Sequence, residues 1–222
     1  MKKFLILPIL LLFSIVTIAQ TPPLSGVYLS KNSNGLHTLY MLIDNYISIS
    51  TYEDGKYIGT QGGPFVLNDS KINIKLEYHD TAPDSVGLQK EINFNVLKAT
   101  TVNQPAARQD LDALWRITGR QSGDKMNSIT RGDRKTIKIL VDGYFQWIAI
   151  NPAEKGFYGT GGGKYTFKDG VYQEHILFFS RDNSRVGQTL TFEGDVKNSD
   201  WHHKGKSSKG DPIYEVWSKE NP

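Results

Sequence analysis

No cysteine occurs among the 222 residues of this chain. A disulfide framework, a thiolate metal site and a thiol nucleophile are therefore excluded, and the fold has to hold by packing alone. Excess charge of one sign is also missing. Lys and Arg total 26 against 23 Asp and Glu, a formal charge of +3, and two of those positives are Lys2 and Lys3 at the amino terminus. A mature chain near +1 creates no demand for nucleic acid or an anionic membrane as partner. No long stretch carries helical period, and no apolar run is long enough to cross a bilayer. The longest, residues 4–18, falls short of the roughly 20 residues that a spanning helix needs.

What is present begins with that run. Lys2 and Lys3 precede it, and Thr17-Ile18-Ala19 follows with the small-x-small pattern of a cleavage site. We read residues 1–19 as a cleavable signal peptide, which directs the chain to the periplasm or outside and leaves no transmembrane segment. The remainder is rich in glycine (21 residues) and in aromatics (11%), as suits many short strands and tight turns.

The glycine-rich phrase GTGGGKYTF at 159–167 has a counterpart, GTQGGPFVL, at 59–67. With an offset of 100, residues 59–96 lie on 159–196 without a gap, and Gly59, Thr60, Gly62, Gly63, Asp69, Val86, Gly87 and Val96 recur. Upstream, with an offset of 98, Leu42, Asp44 and Tyr46 match Leu140, Asp142 and Tyr144. Two structural units follow: 20–98, shorter, and 111–222, complete, joined by a linker at 99–110. A phosphate loop would require a helix after the glycines. A strand follows here, so the glycines are read as a sheet corner or bulge.

Asp142-Gly143 and Asp169-Gly170 stand between alternating apolar runs, the strongest short hairpin signal. Consecutive antiparallel strands without long crossovers favour an up-and-down barrel. Period two then assigns faces. Phe145 and Trp147 match Ile47 and Ile49 and are expected inside, and Tyr172, Glu174, Ile176 and Phe178 match Ile72, Ile74, Leu76 and Tyr78. His175 falls on the water side. Glu174 replaces an isoleucine on the inner face, and a buried carboxylate is expensive unless paired. The first unit lacks the strands that close the second, and we expect the units to pack on each other at that gap.

Ala113-Leu114-Trp115, the DGYFQW strand, GTGGGKYTF, YQEHI, VGQTLTF, WHHKG and the closing EVW together resemble the lipocalin-like, calycin-type β-barrel domain of secreted Bacteroidetes proteins of unknown function. The second unit matches over its whole length. The first matches more weakly, with Tyr28 where tryptophan is usual. The resemblance implies an all-β protein of two tandem lipocalin-like up-and-down antiparallel barrels, the first shorter and with its closure in question. It also implies an interior able to hold a small ligand, and a basic residue of the last strand, here Lys219, over Trp115.

The candidate ligand-binding residues are Glu174, Trp147, Tyr172, Trp201, His203, Glu215 and Trp217, a few polar groups framed by aromatics. The same set is open to a second reading, a self-satisfied buried network that only fixes the fold. No metal site, catalytic residue or cofactor is assigned, since His202 and His203 point to opposite faces of a strand. Arg131-Gly132-Asp133 spells an adhesion tripeptide, which we take as chance in a polar loop. The expectation is an exported, non-enzymatic protein that holds a small, partly apolar ligand in its second barrel, oriented by Glu174. Two other readings stand beside it. One is an envelope module binding protein or glycan through its surface. The other is a hydrolase using the Glu174 and Glu215 pair.

Overall fold

A computed structural model describes residues 24–207 and 210–220; the leader expected at 1–19 lies outside them. The first sheet contains β1 (Gly26–Lys31), β2 (His37–Ile43), β3 (Tyr46–Glu53), β4 (Lys56–Asn68), β5 (Lys71–Lys75), β6 (Tyr78–His79) and β7 (Gln89–Asn93). A helix, α1 (Phe94–Thr100), and a short strand, β8 (Val102–Asn103), complete it. The second contains β9 (Ala113–Ser122), β10 (Lys125–Ser128), β11 (Lys135–Val141), β12 (Tyr144–Asn151) and β13 (Gly156–Lys168). It continues through β14 (Val171–Phe179), β15 (Thr189–Lys197), β16 (Asp200–Lys206) and β17 (Pro212–Lys219).

The second sheet runs β9-β11-β12-β13-β14-β15-β16-β17, and β17 pairs back onto β9 between Glu215↔Arg120 and Lys219↔Trp115. Eight strands thus form one closed up-and-down barrel, with β10 a short flap on β9. Its hairpins turn where the sequence marks them: Asp142 and Gly143 have φ of 49° and 71°, Asp169 and Gly170 52° and 77°, the left-handed pair that a two-residue turn demands. Lys219 Nζ stands 5.9 Å from the Trp115 ring centroid, within cation–π range, and closes the floor as expected.

The first sheet stays open. Its order is β7-β5-β4-β3-β2-β1-β8, with β6 on β4, and no pairing joins its ends. It is therefore not a second barrel. The strands that would close it are replaced by α1, an element absent from the sequence reading. Asn93 ends β7 and accepts hydrogen bonds from the Asn95 and Val96 amides, a side-chain cap that turns the chain into helix. Leu97 of α1 is buried against Tyr28, Leu42, Ile47 and Phe65 on the apolar face of the sheet. The match of Val96 with Val196 is accordingly not structural, because one is helical and the other lies in β15. Part of the expected linker, Val102–Asn103, is an edge strand paired with β1.

The sheets meet through faces of β1–β4 and β6 on one side and β9 and β11–β14 on the other, rather than at the open edge. Val27, Leu39, Met41, Ile43 and Tyr46 form one buried cluster with Leu114, Ile137, Ile139, Val141 and Tyr144. Two hydrogen bonds across it are reciprocal. The Leu114 amide donates to Asp44 Oδ2 (2.8 Å) and the Val27 amide to Asp142 Oδ2 (3.3 Å). Beneath them Ser48 Oγ donates to Gln146 Oε1 (2.6 Å), and Gln146 Nε2 donates to Thr160 Oγ1 (3.0 Å) and Thr60 Oγ1 (3.2 Å).

The glycine phrases lie at a corner of each sheet. The β13–β14 register slips between Gly162 and Gly163, so that Gly162 faces Phe178 and Gly163 faces Ile176, leaving Leu177 as the extra residue. An extra residue reverses the alternation beyond it. Tyr172 and Ile176 point into the barrel, but Phe178, expected on the same face, turns out into the shared cluster. Tyr78 does the same beyond Glu77. The strands approach so closely there that a Cβ on Gly163 would sit 1.9 Å from His175 O, and one on Gly63 2.0 Å from Lys75 O. Gly163→Ala should therefore cost about 3 kcal/mol or more, the upper range for overpacking. Gly132→Ala, with open space around it, should leave the urea midpoint unchanged. Equal midpoints for the two variants would show that the corner does not need its glycine.

Candidate functional site

The barrel interior is packed at one end by Trp115, Tyr165, Tyr172, Trp201 and Trp217, all buried. At the other end it holds a cavity of about 230 Å³. Apolar walls come from Phe145, Ile176, Phe179, Leu190, Phe192 and Ile213, and polar groups from Arg120, Lys138, Glu174, His203 and Glu215. Wider depressions beside Lys204 and Tyr214 lie on the outer face of β15–β17 and are lined by no buried ionisable group.

Glu174 is inside, as the repeat comparison requires, and only 5% exposed. Its partner is Lys138 of β11, whose Nζ lies 2.9 Å from Oε1; the Tyr172 hydroxyl donates to the same oxygen at 2.8 Å. The ammonium is also enclosed by three rings, 5.1 Å from the Trp201 and Trp217 centroids and 5.3 Å from Tyr172. Burial, then the neighbouring carboxylate, pushes the Tyr172 hydroxyl well above its ordinary range.

Glu215 is the second interior carboxylate. Arg120 reaches in from the rim to 2.6 Å of its Oε1, and Trp217 Nε1 donates to Oε2 at 3.2 Å. Burial would raise this carboxyl. The His203 ring, Lys138 and Arg120 outweigh it and hold the group at about 2, against an ordinary 4.5. His203 is 2% exposed, with Nδ1 3.4 Å from Glu215 Oε2. Among the described residues neither of its ring nitrogens has an aligned hydrogen-bond partner. Burial first, and Lys138 second, lower its proton affinity, so the imidazole is neutral at pH 7.

Of the seven residues named from sequence, four line the cavity: Trp147, Glu174, His203 and Glu215. Tyr172, Trp201 and Trp217 are instead the packed floor, and Tyr172 and Trp217 support the carboxylates from behind. Sequence reasoning missed Lys138 and Arg120. Lys138 sits between Ile137 and Ile139, where simple alternation would put a lysine on a wet face, whereas β11 is buried on both sides. One signal was available. The position matching Lys138 in the first unit is Tyr40, just as Ile74 matches Glu174, so the two charges replace two uncharged residues together. The adhesion-like tripeptide is tied down, with Arg131 paired to Glu220 and Gly132 O accepting from Arg116 Nη2 at 2.5 Å.

The Lys138–Glu174 pair is desolvated at both ends, so removing one partner strands the other. Glu174→Ile should lose about 3–5 kcal/mol of unfolding free energy. Lys138→Met combined with Glu174→Ile should recover most of it, and denaturant unfolding of the two proteins checks this. A single variant as stable as the wild type would mean that the charges are not paired in solution.

Glu215 sets a pH dependence. Its folded value lies below its unfolded one, so its contribution is complete above pH 4.5 and fades as pH falls toward 2. That contribution is on the order of 3 kcal/mol. The stability gap between wild type and Glu215→Gln should therefore narrow between pH 4.5 and 2, measured by urea unfolding. A gap constant across that range would contradict the assignment.

No family model and no curated protein matches the chain. Among solved structures, a lipocalin-like protein from Bacteroides uniformis ATCC 8492 aligns at 18% identity and a TM-score of 0.35, over 50% of this chain and 100% of that one.

Proposed function

We propose that this is an exported, non-enzymatic binding protein that holds a small, partly apolar molecule inside the closed barrel. In this reading the chain is a tandem of two lipocalin-like units joined back to back through β1–β4 and β6 on one side and β9 and β11–β14 on the other. The second unit carries the ligand, and the first, whose inner face is covered by α1, is a scaffold. The observation that supports it is the cavity itself, with apolar and aromatic walls and a few buried polar groups at one side. Its volume lies below the range of about 300–1,000 Å³ usual for drug-sized ligands, which points to a small occupant.

In this reading Glu174 has a different role from the one expected from sequence. Its Oε1 is engaged by Lys138 and Tyr172, so it fixes the charge balance of the wall rather than serving as the main handle. A hydrolase reading fits less well. Both carboxylates are tied to cations, and Glu215, at about 2, is a poor proton donor at neutral pH.

The test is occupancy. A neutral apolar fluorophore, 1-aminoanthracene, should bind the purified protein with an emission blue shift. Leu190→Trp, which fills the cavity from β15, should abolish the signal while leaving the circular dichroism spectrum unchanged. Equal binding by the filled variant would place the dye elsewhere and defeat the proposal.

A further inference from the structure

The cavity distinguishes its walls by chemistry, and His203 is a wall group that turns Nδ1 toward Glu215 and leaves Nε2 without a partner among the described residues. Among the described residues, neither its Nδ1 nor its Nε2 has an aligned partner, although the ring is 2% exposed. A buried polar group left unmatched is destabilising, because it has given up its hydrogen bonds to water without replacement. Lys138 and Tyr172 are engaged with Glu174, and Arg120 and Trp217 with Glu215; among its neighbours only the Trp201 indole N–H, packed in the floor, is also without a partner among the described residues. His203 stands among Phe192, Trp201 and Tyr172, with ring centroids at 4.3, 5.0 and 5.6 Å, and none of these rings supplies it a hydrogen bond.

Its tautomer follows from Glu215. The carboxylate is ionised and can only accept, and its Oε2 stands 3.4 Å from Nδ1. A proton on Nδ1 is therefore favoured, which leaves Nε2 as a lone-pair acceptor. Charge is settled too. Lys138 has Glu174 and Arg120 has Glu215, so a charged ligand would enter as an unpartnered ion and bear the full cost of desolvation. A deprotonated carboxylate, being an acceptor only, has no proton of its own to offer Nε2.

We propose that the barrel selects neutral molecules that join an apolar body to a single proton donor, a hydroxyl or an amide N–H, and that His203 Nε2 is the acceptor that makes the selection. This rests on the reading that the cavity takes a ligand. The arrangement divides affinity from choice. Phe145, Ile176, Phe179 and Leu190 provide contact area for any apolar body of the right size, whereas His203 favours those able to satisfy it. A site built around an unmatched polar group discriminates against analogues that leave it unmatched more strongly than apolar walls discriminate by size.

The test uses two probes of nearly the same shape, 2-naphthol and 2-methylnaphthalene, each displacing 1-aminoanthracene from the full-length protein. The wild type should bind 2-naphthol at least fivefold more tightly, and His203→Phe should reduce the ratio to one or below while keeping its affinity for 2-methylnaphthalene. Because that variant alters a buried position, a second measurement uses the wild type alone. The ¹⁵N resonance of His203 Nε2 should move upfield when 2-naphthol is added and stay in place with 2-methylnaphthalene. If both probes bind with a ratio that His203→Phe does not change, or if the Nε2 resonance ignores 2-naphthol, the His203 assignment is overturned and the cavity reading survives. If neither the fluorophore nor either probe binds, the cavity reading falls, and this inference with it.

Discussion

A strand buried on both faces has no side on which a charge can rest in water, and β11 is such a strand. Ile137, Ile139 and Val141 lie against the first sheet, while Lys138 and Leu140 point into the barrel. Lys138 must therefore be compensated where it lies. Glu174 meets it from β14, three aromatic rings surround it, and Tyr172 bonds the carboxylate from below. This compensation divides the barrel in two. Below the pair the interior is solid aromatic core, and above it space remains. The pair thus forms part of the floor of the cavity, and its own neutrality makes the cavity neutral.

The double burial of β11 exists because a second sheet covers the barrel's outside. That contact is matched on its two sides. Asp44 and Asp142 close turns at corresponding positions, and each accepts an amide from the first strand of the opposite sheet. Ser48 and Gln146, also at corresponding positions, bond each other at the centre. An apolar junction would tolerate sliding. These directed hydrogen bonds, buried where an unmade one costs about 1–3 kcal/mol, set one register.

Much of the barrel was legible in the sequence because its signals are local. Asp-Gly turns, period-two strands and recurrent glycines need no knowledge of distant neighbours, and they place Phe145, Glu174 and Glu215 inside correctly. The remainder depended on partners far along the chain. Lys138 looks solvated until the first sheet is seen to cover its neighbours. Tyr172, Trp201 and Trp217 look like cavity walls until their rings are seen packed on one another. Helix α1 escaped because it spans only seven residues and begins where the repeat still aligns by a single valine. The open Nε2 of His203, without a partner among the described residues, is a property of absence, which no pattern of residues displays.

The slip at Leu177 has a consequence for the whole strand. Before it, even-numbered residues of β14 face the barrel interior and odd ones face solvent; after it, the parity is exchanged, so that Phe178 joins the junction and Phe179 lines the cavity. One strand thereby belongs to two different solvents, serving the ligand chamber and the intersheet seam within three consecutive side chains. Neighbouring substitutions along it will fall into separate phenotypic classes, and a map of them drawn by simple alternation would assign the last residues to the wrong compartment.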